Sequence, residues 1–315
     1  MPNPQTLRYS LLAVLLALTT SMIAAAAEGP DSPPPTHADL KYGEHERQVL
    51  DFWRAETAGP APVLVWIHGG GWMHGSKEKE MKLVARELPQ LLAHGISVAL
   101  INYRYSTMEP LPAPVHDAAR AIQYLRYRAA DLGIDPARIA ASGGSAGGCT
   151  SLWLATHDDL ADPDAEDPIA RESSRICGAY AHAAQTTLVP ADIREHVAEN
   201  ALGHPMIARA GGYKTVAELE ADWENAEALY REFSPVTHIS KDDPPICLAY
   251  YGKLDSQTDG IHHVKFGVYF KEQADAAGAT CYLGIHRDTD LYPGAPTKEQ
   301  FIHHVLLGKP LPAKK

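Results

Sequence analysis

Four cysteines in 315 residues are too few and too scattered for a disulfide-built domain. They stand at positions 149, 177, 247 and 281, in or beside expected core elements, and read as buried thiols. Cys247 and Cys281, on neighbouring expected strands, are the one pair that an oxidising compartment could join, although parallel neighbours seldom suit disulfide geometry. Basic charge is also short. With 28 Lys and Arg against 39 Asp and Glu, the net charge of −11 argues against nucleic acid or an anionic membrane as partner. The apolar run 11–18 is too short to span a bilayer, and no cysteine near residue 27 offers a lipid anchor. Internal repeats are absent. Metal motifs are missing too: His262-His263 lacks the HExxH spacing for zinc. The acidic run Asp158, Asp159, Asp162, Asp164, Glu166 and Asp167 lacks the glycine and terminal glutamate of a calcium loop, so it reads as a solvated loop. No cofactor is expected.

What is present describes one globular domain: 45% hydrophobic and 21% charged residues at this length can bury a large core. Residues 1–27 stand apart, with Arg8 before the apolar run and Ala24 to Ala27 at its end. That pattern is a cleaved secretory signal and predicts export. Its removal leaves 27 basic against 39 acidic residues. Residues 28–44, with Pro30, Pro33, Pro34 and Pro35, read as an extended leader without a core of its own. The domain is expected over 45–315.

Strands are expected near 48–54, 62–67, 96–102, 138–142, 175–181, 245–251 and 279–286, separated by helices near 77–93, 113–131, 145–156, 264–277 and 297–307. Such alternation predicts an α/β fold, a mostly parallel sheet wrapped by helices. The stretch 184–234 interrupts the alternation between the strands near 175–181 and 245–251. Its Gly203, Gly211 and Gly212 fit mobile connections of a lid-like insertion.

Two glycine-rich motifs carry chemistry. Gly143-Gly-Ser-Ala-Gly-Gly148 places Ser145 at the centre of a G-x-S-x-G between an apolar strand and a helix, which exposes its hydroxyl as a nucleophile. Ala146 offers its amide at the first turn of that helix. Upstream, Val63 to Ile67 runs into His68-Gly-Gly-Gly-Trp72, whose glycines let backbone amides turn toward a developing oxyanion. Gly69, Gly70 and Ala146 are the expected donors.

With these motifs the chain resembles α/β-hydrolases of the carboxylesterase and hormone-sensitive-lipase-like type, including secreted bacterial feruloyl-esterase-like enzymes. The segments NYRYS, LPAPVHDAARAIQYLRYRA, GIDPARIA and FSPVTHISKDDPPI extend the resemblance over roughly positions 45–305. It implies the α/β-hydrolase fold, a small ester as substrate, an acyl-enzyme on Ser145, and an acid then a histidine in chain order. The acid falls on Asp255, at the family's G-x-x-D position after Gly252, with Asp259 as the alternative because the loop is longer than the family's. The histidine is off pattern: where the family reads Y-P-G-A-x-H-G-F, this chain reads Tyr292-Pro-Gly-Ala295-Pro-Thr-Lys. His286, at the end of the last expected strand, is the first substitute. His262 and His263 after the acid loop, and His182 after the strand near 175–181, are the others. If none serves, the chain is a hydrolase fold that kept its nucleophile and lost turnover, with a binding or structural role.

Overall fold

Val63, Val65 and Ile67 point to one side of their strand while Leu64 and Trp66 point to the other, and all five are buried. A strand buried on both faces belongs in the middle of a sheet covered by helices on each side. The computed structural model, which describes residues 32–257, 260–286 and 292–311, contains that sheet. Its strands are β1 (His37–Lys41), β2 (Val49–Trp53), β3 (Ala61–Ile67), β4 (Ser97–Ile101), β5 (Ile134–Gly144), β6 (Ala179–His182), β7 (Ile246–Tyr250) and β8 (Cys281–Ile285). Their spatial order is β1-β2-β4-β3-β5-β6-β7-β8. β1 and β2 pair antiparallel at one edge, β2 meets β4 antiparallel, and every later pairing is parallel.

The helices follow the same division. On one face lie α1 (Lys77–Val84) and α2 (Leu88–Ala93), which bury Val84 and Leu88. Pro89 starts a new helix there, so the single helix expected over 77–93 is two. The other face holds α3 (Ala113–Tyr127), whose Val115, Ala118, Ala119, Ile122 and Leu125 form its apolar stripe. Beside it lies α4 (Ala146–Thr156), buried along its whole length. Between β6 and β7 the chain makes short helical pieces, among them α5 (Pro205–Ala210), α6 (Val216–Ala221) and α7 (Trp223–Glu232). Two more helices complete the fold: α8 (Lys265–Ala277) on the α4 face, and α9 (Lys298–Leu307), which buries Phe301, Ile302 and Leu306 with α1 and α2.

The reading of the amino-terminal segment needs correction, and that of Cys247 and Cys281 as thiols holds. The segment expected to be a leader without a core contains β1, and Tyr42 just after it is buried, its hydroxyl donating to the Asn102 carbonyl at 2.5 Å. β1 is polar and exposed, so its strand character comes from pairing with β2 and not from its own pattern. Cys247 and Cys281 are both free, and they belong to opposite faces of the sheet. Cys281 stands across from Ile246, not Cys247, so the side chains alternate away from one another. Burial pushes the Cys281 thiol up to about 12. The expected signal segment, Asp259 and residues 287–291 lie outside the described residues.

Candidate active site

Ser145, the expected nucleophile, sits where β5 turns sharply into α4. Ser145 has φ 54 and ψ −126, a conformation that costs a non-glycine residue on the order of 1–3 kcal/mol and persists only where its surroundings impose it. Those surroundings are close. Its amide donates to the His182 carbonyl at 3.0 Å, and its own carbonyl accepts from Cys149 at 2.8 Å. A Cβ on Gly147 would come within 2.1 Å of the Ile67 carbonyl, so only glycine lets α4 cross the end of β3 at this depth.

The HGGGW loop reaches the same point from β3. A Cβ on Gly69 would lie 2.8 Å from the Gly144 carbonyl and 3.5 Å from Cβ of Ser145, so the loop backbone runs against the nucleophile. Among the described residues the amides of Gly70 and Ala146 have no acceptor, as donors awaiting an oxyanion would. The loop is braced from behind. Trp72, with φ 56, is fully buried and its indole donates to Thr150 on α4 at 2.9 Å. The Tyr103 hydroxyl donates to the His68 carbonyl at 2.7 Å, and its ring stacks on the His68 imidazole at 4.1 Å. Burial holds His68 down to about 4, so its ring is neutral at neutral pH.

The histidine brought to Ser145 is His262. Its Nε2 lies 2.9 Å from Ser145 Oγ, a distance at which the hydroxyl donates to the ring nitrogen. The ring is exposed to solvent. Its neighbour His263 is buried and structural, with Nε2 on the Ser256 carbonyl at 3.1 Å and Nδ1 accepting the Lys265 amide at 3.1 Å. The loop bearing both is fastened to the insertion, because buried Gln185 donates to the Ile261 carbonyl at 2.6 Å.

His286 is not brought to Ser145. Its amide donates to the Tyr250 carbonyl, which continues the β8 register for one more residue. Alternation then turns its ring away from the side that Ile285 occupies, onto Tyr251, where the two rings stack at 4.5 Å. It lines a separate cavity of about 600 Å³ with Trp66, Tyr180, Tyr292 and Lys298, to which neither Ser145 nor His262 contributes. His182 lines that cavity as well; its carbonyl accepts the Ser145 amide, its ring packs so closely on Gly144 that a Cβ there would lie 2.3 Å from Nε2, and burial holds the ring to about 4. Asp255 is exposed on the loop after β7, and its recorded hydrogen bond is its carbonyl accepting from Gln257. In the acidic loop after α4, Asp159, Asp162 and Asp167 each accept the amide two residues on.

Residues 50–261 match BD-FAE, more than half of the sequence and both glycine motifs. The chain belongs to the BD-FAE family. The BD-FAE match closes at Ile261, directly before His262, so the histidine that meets the Ser145 hydroxyl falls outside it. This BD-FAE chain is 31% identical to the probable carboxylic ester hydrolase LipM of Mycobacterium tuberculosis over 222 residues, 69% of the chain and 48% of LipM. It is 27% identical to esterase LipC of the same organism over 221 residues, 68% of the chain and 50% of LipC. The chain thus spans about half the length of these curated relatives. Among solved structures it is similar to a truncated carbohydrate esterase from gut microbiota, with TM-score 0.64 and 24% identity over 81% of this chain and 89% of that one. It is also similar to an acetyl ester-xyloside bifunctional hydrolase from Caldicellulosiruptor lactoaceticus, with TM-score 0.63 and 23% identity over 81% and 87% of the two chains. These likenesses make the architecture an α/β-hydrolase fold.

Proposed function

We propose that the protein is a serine-dependent carboxylic ester hydrolase whose base is His262. The observation that carries this reading is the 2.9 Å approach of His262 Nε2 to the hydroxyl of a serine in a strained elbow. In the first half-reaction Nε2 takes the Ser145 proton as Oγ attacks the ester carbonyl carbon. The carbonyl oxygen becomes an oxyanion, held by the amides of Gly69, Gly70 and Ala146. Collapse breaks the bond to the alcohol, which leaves with the proton carried by His262, and Ser145 is acylated. Water, deprotonated by the same nitrogen, then attacks the acyl carbon and releases the acid. An aspartate of the loop after β7, Asp255 or Asp259, orients the ring. The carbohydrate esterase and acetyl ester-xyloside hydrolase among the structural neighbours support small acyl esters of sugars as the first substrates to try.

The test is labelling by a fluorophosphonate probe and turnover of a nitrophenyl acetate. Ser145 should label and His262→Ala should not turn over. A folded protein whose Ser145 stays unlabelled would instead be a hydrolase fold kept for binding. Export is proposed with the same reading, supported by the composition of residues 1–27; amino-terminal sequencing of the exported fraction should begin at Glu28.

A further inference from the structure

At the end of α4 farthest from Ser145, three side chains from three elements converge. His157 follows α4, Glu232 ends α7, and His238 ends the single turn Pro235–His238. His157 Nε2 lies 2.8 Å from Glu232 Oε1, and His238 Nε2 lies 4.0 Å from Glu232 Oε2. The three ligand atoms are all within 4.8 Å of one another. The side chains are half-buried, at 16%, 39% and 21% exposure, which leaves one side of the cluster to solvent.

The protons decide what this cluster needs. His157 Nδ1 lies 2.8 Å from the Asp158 carbonyl, which can only accept, so Nδ1 carries a proton. That bond fixes the ring so that Nε2 faces a carboxylate oxygen 2.8 Å away, a contact that either a second ring proton or a shared metal ion satisfies. A histidine that ligates a metal through Nε2 has the same arrangement, with Nδ1–H on a backbone carbonyl fixing the tautomer. In a tetrahedral zinc site, bonds of about 2.0–2.1 Å put neighbouring ligand atoms roughly 3.4 Å apart. The distances of 2.8 and 4.0 Å bracket that value. His238 Nε2 now rests 2.6 Å from the Glu232 carbonyl, a contact that metal binding would replace. That carbonyl keeps the Trp153 indole as donor at 3.0 Å, so it is not orphaned.

We propose that His157, Glu232 and His238 form a binding site for a divalent transition metal of the zinc class, outside the catalytic machinery. Two imidazoles and one carboxylate suit zinc or cobalt, whereas calcium and magnesium require an oxygen shell. The ion staples the far end of the nucleophile helix to α7 and the turn after it. The second grouping, His94, Glu299 and His303, has two exposed members and is the internal control.

The experiment titrates untagged, chelator-treated full-length protein with cobalt(II) and with zinc(II). The expected result is one equivalent bound, a visible cobalt spectrum of tetrahedral intensity, and a Tm raised by about 5 °C at a hundred-fold excess over Kd. His157→Ala and Glu232→Gln should each weaken binding about 100-fold while ester turnover persists. His94→Ala with Glu299→Gln should change none of these. The site is refuted if His157→Ala and Glu232→Gln, shown folded by circular dichroism, bind as the parent does. It is equally refuted if the parent binds no metal, or if the His94 and Glu299 variant loses the signal.

Discussion

The ends of β3 and β5 and the ends of β7 and β8 build the candidate site in different ways. At β3 and β5 the chemistry belongs to the backbone: a strained serine, amides without acceptors, and glycines set where no Cβ fits. At β7 and β8 it belongs to side chains on loops, and which side chain arrives depends on how each loop is fastened. His262 is delivered by a loop tied to Gln185, while His286 is turned away by one extra residue of strand register. Backbone geometry ties a function to one sequence position. A side chain on a loop can be replaced by one from another strand, provided that its nitrogen arrives within hydrogen-bonding distance.

The contrast breaks most directly at the base. His262→Ala should lower kcat/KM by on the order of 10⁶-fold, close to Ser145→Ala, whereas His286→Ala should change it less than about three-fold. Equal losses from the two histidines, measured as nitrophenyl ester turnover, would return the base to β8. The acid comes next. Asp255 is exposed and bonds to neither histidine of the pair, so Asp255→Asn should cost less than about ten-fold and Asp259→Asn about 10²-fold or more. The reverse order would restore the family spacing.

Acid sensitivity probes the backbone side. His68 and His182 are both lowered by burial from an ordinary value of 6.5 to about 4. Above pH 6.5 they are neutral whether folded or unfolded and contribute no pH dependence. Below it the unfolded chain binds protons that the folded chain refuses, so stability falls as pH drops from about 6.5 toward 4, by on the order of 3 kcal/mol for each ring. Urea midpoints at pH 7 and 4.5 should differ accordingly, and His68→Asn should flatten the slope. The smallest effect is at the brace: Trp72→Phe leaves the Thr150 hydroxyl without its indole donor and should cost about 1 kcal/mol.

This division is also why part of the site could be read from sequence and part could not. Ser145 and the HGGGW glycines announce themselves because the positions next to them are sterically forced. The base does not. His262 is one of 16 histidines, 117 residues from its partner, and only its place beside the acid loop marked it. A finer signal was available: Ile261, His263 and Val264 are buried, so His262 is the member of the pair that faces out. β1 escaped for a related reason, since a polar edge strand acquires its order from a partner and not from a pattern of its own.

The indole of Trp72 has a mechanical consequence. Its bond to Thr150 ties the loop carrying one proposed oxyanion donor to the helix whose first turn carries the other. If α4 shifts, the β3 loop is pulled in the same direction, and the spacing between the two amides changes less than the position of either. The anion cradle can therefore ride on thermal motion of the helix while keeping its aperture.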